Sequence, residues 1–249
     1  MAQPKAACQL IIFGERTGTD LPRVLRDIAQ AGYDGFEGGG PGAMSAAQMK
    51  ALLGELGLQL AGVHSGYEGL QDLDATLSYM DALDCRLLMC SGVGDTKGGL
   101  AAYERAAEVF NQVGRRCQEH GIRFCYHNHS WEFQTYDGVR ALDRLYELTD
   151  PRYVHLCVDV YWVAHGGSDP AAFLQQHLDR IGTVHFKDMG EDGSFAEIGQ
   201  GTLDFPAMME VLSGKPDLDW IIVEQDRTRR TPEESIALSR QYMREELGL

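Results

Sequence analysis

The sequence predicts an α/β fold, a single closed (β/α)8 barrel over residues 1–249. Three observations carry this expectation. The chain has 249 residues, near the roughly 250 typical of such a barrel. Short apolar runs alternate with amphipathic helical patterns through the whole chain. The first apolar run is followed by GERTGTD at 14–20, which lacks the GxGxxG spacing of an open doubly wound sheet, the other architecture this alternation allows.

The elements follow in order. Gln9–Phe13 (QLIIF) reads as the first strand, and Leu21–Ala31 as a helix ended by Gly32. Tyr33–Glu37 (YDGFE) is the second strand. Ser45–Leu56 is a helix with Ser45 as its N-cap and Gly57 as its stop. Gln59–His64 (QLAGVH) is the third strand, with a helix near Leu73–Leu83. Arg86–Cys90 (RLLMC) is the fourth, followed by the long helix Leu100–His120. Ile122–His127 (IRFCYH) and the helix Gly138–Leu148 come next. Then come Tyr153–Val158 (YVHLCV) with the helix Pro170–Leu178, capped by Asp169, and Ile181–Phe186 (IGTVHF) with the helix Phe205–Leu212. Trp220–Val223 (WIIV) and the helix Pro232–Glu245 close the series.

Charge and composition narrow the function. Lys and Arg number 22 against 37 Asp and Glu, a formal net charge of -15. That balance repels phosphate backbones and argues against a nucleic-acid partner. A local Lys or Arg can still override it, so a phosphorylated small molecule stays open. No stretch approaches the ~20 apolar residues of a membrane span, and no basic flank leads into a long apolar run. A cytoplasmic protein is expected. The six cysteines, Cys8, Cys85, Cys90, Cys117, Cys125 and Cys157, form no CxxC pair and sit in apolar runs. They read as small buried hydrophobes in a reducing compartment, with a zinc–thiolate site as the alternative.

A barrel places its chemistry at the C-terminal ends of its strands. The second strand end supplies Glu37 and the third His64. The fifth supplies His127, Asn128 and His129, with Glu132 just beyond. The sixth supplies Asp159, the seventh His185, Lys187 and Asp188, and the eighth Glu224 and Asp226. Carboxylates with imidazoles make a mixed oxygen and nitrogen site for one divalent cation, Mn, Co, Mg or Zn. Without a cation, so many inward carboxylates would repel one another.

At these residues the chain resembles a known family. HFKD at 185–188, VDVYWVAHGGSDP at 158–170, EIGQGTLDFP at 197–206 and IIVEQD at 221–226 are similar to motifs of the xylose isomerase-like TIM-barrel superfamily. Its sugar phosphate isomerase/epimerase and inosose dehydratase branches resemble the chain most. YHNHSWEF at 126–133 is similar to the fifth-strand motif of one subgroup. The likeness runs from YDGFEGG near the second strand to IIVEQD. It implies one divalent metal held by Glu, Asp, His and Glu from strands five to eight. Carried over, the ligands are Glu132, Asp159, His185 and Glu224, with His127 as the substitute if the loop to Glu132 does not fold back. Trp162 stands where some relatives have a substrate-binding His.

Each site residue also has an ordinary role. Asp159 can be a polar cap, His185 a satisfied core histidine and Lys187 a salt-bridge partner. His120, His155 and His177 read as plain helix or strand residues. Trp131 and Trp162 can stack on a sugar ring or pack beneath loops. Weighed together, the expectation is a sugar or keto-sugar isomerase/epimerase that moves a proton next to a carbonyl through an enediolate. Glu132, Glu224 and His127 are the acid/base residues, and Glu37, His64, His129, Trp162 and Lys187 contact a small carbohydrate. Loss of water from an inosose or keto-glycoside is the alternative on the same scaffold. An endonuclease of the wider superfamily and a non-enzymatic binding protein fit less well. A homo-oligomer is compatible with all of these.

Overall fold

The computed structural model describes residues 3–42 and 44–249. Eight parallel strands close into a barrel, and helices follow them around its outside. The strands are β1 (Lys5–Gln9), β2 (Gly35–Gly38), β3 (Gln59–Gly66), β4 (Leu87–Ser91), β5 (Arg123–His127), β6 (Val154–Asp159), β7 (Ile181–Phe186) and β8 (Trp220–Val223). The cyclic order is sequential, and β1 pairs with both β2 and β8. The eight main helices are α1 (Leu21–Gln30), α2 (Ala46–Leu56), α3 (Asp74–Ala82), α4 (Leu100–Glu119), α5 (Ala141–Leu148), α6 (Pro170–His177), α7 (Phe205–Leu212) and α8 (Pro232–Glu246). No described helix is long and apolar enough to cross a membrane.

Local chemistry sets these boundaries. Ser45 and Thr231 begin α2 and α8 with reciprocal capping boxes to Gln48 and Glu234, satisfying amides that the first turn leaves free. Gly57 ends α2 at φ +68°, a left-handed turn that costs a glycine little.

One strand lies elsewhere than the sequence suggests. The first strand is Lys5–Gln9, and Leu10–Phe13 is a short 3-10 turn. The apolar run LIIF imitates a strand. However, the Gln9 side chain accepts the Ile11 amide and starts the turn. Leu10 and Phe13 then face inward while Ile11 is 47% exposed, a spacing of three rather than two. The strand itself is built from small residues, Ala6, Ala7 and Cys8, all buried.

The strands alternate their side chains between two cores. Leu88, Phe124, Tyr126, Leu156, Val158, Val184, Phe186, Ile221 and Val223 join the layer beneath the helices. Ala7, Ala61, Leu87, Met89, Cys125, Cys157, Trp220 and Ile222 fill the barrel interior. A Cβ at Gly62 would overlap the Met89 side chain, so glycine there lets the large side chain across the axis. All six cysteines are buried and unpaired.

This parity fixes what reaches the mouth. Two residues beyond Met89, Cys125, Cys157 and Ile222 stand Ser91, His127, Asp159 and Glu224. Each inherits the inward direction. The β2–β3 register slips by one between Phe36 and Glu37, and His64 shares its direction with Gly62. The apolar interior thus ends in a polar layer at the C-terminal rim.

Candidate functional site

Four of these side chains converge. His127, Asp159, His185 and Glu224 each offer a ligand atom, and the four atoms lie within 4.8 Å of one another. All four residues are buried. They come from β5, β6, β7 and the residue after β8.

Hydrogen bonds fix their orientations. Asp159 caps the short helix Val160–His165, accepting the Trp162 amide on Oδ1 at 3.1 Å. Its Oδ2 is left facing the site. Asn128 exchanges hydrogen bonds with the Asp159 backbone, accepting its amide at 3.1 Å and donating to its carbonyl at 3.3 Å. His185 sits between two carboxylates, Nδ1 at 2.8 Å from Glu224 Oε2 and Nε2 at 2.7 Å from Glu37 Oε2. Glu37 also holds His64 Nδ1 at 2.7 Å, and His64 Nε2 lies 2.9 Å from Ser91 Oγ. Glu37 is therefore the outer carboxylate of a chain from Ser91 through His64 to His185.

Lys187 crosses the same space. Its ammonium is 2.7 Å from Glu224 Oε1 and 3.4 Å from Asp159 Oδ2, and it pairs with Asp226. The rings of Trp162, Phe195 and Tyr161 surround Nζ at 5.1, 5.2 and 5.7 Å from their centroids. Such a charge is costly to bury unless it is paired.

The electrostatics follow from these contacts. Burial would raise the Glu224 and Asp159 carboxyls. Lys187, together with His185 at Glu224 and His127 at Asp159, outweighs it, and both stay below their ordinary range. Glu37 is likewise raised by burial but drawn down to about 2 by His185 and His64. Burial opposes the cationic forms of His185 and Lys187. Cys157, Glu37 and Glu224 reverse this for His185, as Asp159, Glu224 and Asp226 do for Lys187, so both stay protonated above their usual ranges.

His127 is the exception. Burial lowers its pKa, and neither ring nitrogen has a hydrogen-bond partner. Its Nε2 lies 3.5 Å from Asp159 Oδ2 and 3.7 Å from Glu224 Oε2. A buried imidazole without partners is uncommon and calls for an explanation. Two carboxylates and two imidazoles around one point suit a divalent cation, which would take up the His127 lone pair. The donor set fits such an ion.

The expected ligand Glu132 stands apart from the four. Its Oε1 accepts the Tyr126 hydroxyl at 2.6 Å and its Oε2 the His129 amide at 2.8 Å. Tyr126 belongs to the layer under the helices. Side chains alternate along β5, so a partner of Tyr126 lies outside the barrel wall that His127 faces from within. Burial raises the Glu132 carboxyl to about 7. Through these two bonds it fastens the turn after β5.

The remaining expected residues line the mouth in different ways. Glu37, His64 and Lys187 join the polar layer. His129 stacks on Trp131 at 4.0 Å, and burial depresses its pKa to about 3. Trp162 forms one wall beside Lys187 and keeps a buried indole N–H without a partner. A cavity of roughly 350 Å³ opens beside His64, Gly38 and Gly39. Sequence reasoning missed Ser91, because the fourth strand runs one residue beyond Cys90. It also missed Tyr161 and Phe195 around Lys187, for which no spacing signal exists. Asp188 looked chemical but is structural: it accepts the amides of Met189, Gly199, Gly201 and Leu203 at 2.8–3.1 Å.

Known proteins share this architecture. An inosose dehydratase from Geobacillus kaustophilus is 26% identical over 247 residues, covering 82% of this chain and 80% of the relative. A sugar phosphate isomerase/epimerase from Parabacteroides distasonis superposes with a TM-score of 0.81 at 22% identity, over 98% of this chain and 95% of its own. The IOLI protein, solved with a bound zinc atom, superposes at 0.73 with 15% identity, over 96% of each chain. The family model for the xylose isomerase-like TIM barrel matches residues 25–246, and the chain belongs to that family.

Proposed function

We propose that the chain is a divalent-metal-dependent isomerase or epimerase of a sugar or keto-sugar. The observation that carries the reading is His127. Its nitrogens are buried without hydrogen bonds beside Asp159, His185 and Glu224. In this reading His127, Asp159, His185 and Glu224 are the ligands, and His127 takes the place that the resemblance gave to Glu132. Two imidazoles in the set favour Zn or Co over Mg, and the two carboxylates also admit Mn. A bound cation would supply Lewis-acid polarisation of a substrate carbonyl or hydroxyl oxygen.

The chain's own residues do the rest. Glu37 fixes the His185 ring from behind, the role that outer-shell carboxylates play at metal-binding histidines. Glu224 is ionised and able to take the proton next to the carbonyl. The Lys187 ammonium, shared among Glu224, Asp159 and Asp226, holds a fixed positive charge beside the space where an enediolate would gather negative charge. Trp162 and the stacked His129–Trp131 pair give a sugar ring flat apolar surfaces. The apolar walls exclude water from the proton transfer.

A second reading is dehydration. It is favoured by the curated relatives named inosose dehydratase. Proton removal is common to both, and the reactions part only if a β-hydroxyl leaves. The departing hydroxyl would then carry away, as water, the proton removed from carbon. The deciding experiment incubates keto-sugars, inososes and keto-glycosides with the Mn-supplemented protein in deuterated water. Deuterium at a stereocentre without loss of water is the NMR result expected of an epimerase. Loss of water establishes the lyase. Neither change in any substrate overturns both.

A further inference from the structure

Three side chains on the β2–β4 side of the mouth stand in a line that the metal reading does not use. Ser91 Oγ lies 2.9 Å from His64 Nε2, and His64 Nδ1 lies 2.7 Å from Glu37 Oε1. Glu37 reaches His185 through its other oxygen. Holding the His185 ring therefore accounts for Glu37 but for neither His64 nor Ser91.

The proton positions follow from the charges. Burial opposes the ionised form of Glu37, but His185 and His64 outweigh it. An ionised carboxylate only accepts hydrogen bonds. A neutral His64 ring therefore carries its proton on Nδ1, and its Nε2 accepts the Ser91 hydroxyl. A hydroxyl held by an imidazole that a carboxylate orients is the arrangement that makes serine a nucleophile. Both reacting groups are reachable. Ser91 is half-buried, and the His64 side chain is 16% exposed.

Each side of Ser91 offers what an acyl group needs. His64 lines the cavity of roughly 350 Å³ with Leu10, Ile11, Gly38 and Gly39, which is space for a short acyl chain. On the neighbouring strand, Ser91 pairs in register with His127. Burial keeps His127 neutral, and neither of its nitrogens has a partner. Its one N–H stays free even if the other nitrogen holds a cation. It is a donor for a negative oxygen formed beside Ser91.

We propose that Ser91, His64 and Glu37 form a nucleophilic triad that hydrolyses a short-chain carboxylic ester, an activity separate from the metal chemistry of the same mouth. Ser91 Oγ attacks the acyl carbon and forms the Oγ–C bond while its proton passes to His64 Nε2. Glu37 stabilises the imidazolium. The ester C–O bond then breaks, and the alcohol leaves with the proton from His64. Water attacks the acyl carbon next and gives a proton to His64. The Oγ–C bond breaks, His64 returns the proton to Ser91, and the carboxylic acid leaves. No oxidant or reductant takes part.

The test mixes the full chain with p-nitrophenyl acetate in stopped flow, with chelator present so that no metal-bound hydroxide contributes. A burst of one p-nitrophenolate per chain is expected. Mass spectrometry of the quenched and digested protein should place the acetyl group on Ser91. Ser91→Ala should abolish the burst, and His64→Gln should slow it ~100-fold or more, the usual contribution of a general base. Ser65→Ala should keep it, since that neighbouring hydroxyl donates to the Gly66 carbonyl. The proposal is overturned if the wild-type chain shows no burst, if the acetyl group sits on other residues only, or if Ser91→Ala keeps a full burst. A burst that appears only without chelator also overturns it, and assigns the hydrolysis to a bound metal. Loss of the isomerase reading would leave each of these results unchanged.

Discussion

The two halves of the barrel mouth are built from the same repeat but differ in what they present. From β5 to β8 every strand end turns toward one point a side chain that could hold a cation: His127, Asp159, His185 and Glu224. From β1 to β4 the inward residues are Glu37, His64 and Ser91, which bond to one another and to His185. Beside them the glycine-rich turn after β2 leaves open space. One half thus holds the candidate ligands, and the other supplies their support and a cleft. The lesson is that inward direction alone does not make a ligand. Glu37 points inward, is ionised and is fully buried, but it stands behind the His185 ring, bonded to its Nε2 and to His64, outside the group of four.

The largest effects should come from the ligand half. Asp159→Asn and Glu224→Gln each remove a charge with little change in volume. Each is expected to abolish stoichiometric metal binding by elemental analysis and to lower turnover at least ~100-fold, with the far-ultraviolet circular dichroism of a folded barrel. Near-normal turnover in either variant would break the division between the halves.

Next comes the contrast across the β5 wall. His127→Asn should weaken metal binding beyond the ~10–100-fold typical of outer-shell changes. Glu132→Gln should keep the metal, because its carboxylate serves Tyr126 and the His129 amide. A Gln at 132 would turn a donor toward one of those donors, so a stability loss of about 1–3 kcal/mol in urea unfolding is expected. The reverse pattern would return Glu132 to the ligand set.

Smaller effects are expected in the supporting half. Glu37→Gln should reduce metal affinity by ~10–100-fold without abolishing it. It should also change acid unfolding of the metal-free protein. The Glu37 carboxyl is held at about 2 against an ordinary 4.5, so its stabilisation is present above pH 4.5. That stabilisation is lost as pH falls from 4.5 through 2, on the order of 3 kcal/mol in all. The variant should lack this part of the acid transition; an unchanged profile would mean that Glu37 is not the anchor described. The smallest effect belongs to Ser91→Ala, a loss of about 1 kcal/mol for one hydrogen bond. His64 would remain in place through Glu37, and a calorimetric metal titration should be nearly unaltered.

Much of this was legible in the sequence because period-two alternation and turn chemistry are local. The seventh and eighth strands lie at the residues expected, Ile181–Phe186 and Trp220–Val223, and most other elements within two residues. The first strand was displaced because LIIF is apolar enough for a strand, while the strand itself hides in small residues. The helix expected from Gly138 begins at Ala141, since Val139 and Arg140 pair with Thr135 and Tyr136. At the site, Asp159 and Glu224 stand out because each follows an apolar run, and His185 because it interrupts one between Val184 and Phe186. The choice between His127 and Glu132 could not. It depends on Tyr126 drawing Glu132 to the far side of the wall, a contact between side chains that no local pattern encodes.

The Asp188 carboxylate has a consequence for how the rim moves. Residues 197–203 contain no helix or strand, and amides in such segments ordinarily exchange with solvent quickly. Those of Gly199, Gly201 and Leu203 instead end on a buried carboxylate anchored beside β7. Their hydrogens should therefore exchange as slowly as those of the strand, and only when the barrel itself opens. A segment that looks like loop would behave in exchange as part of the wall.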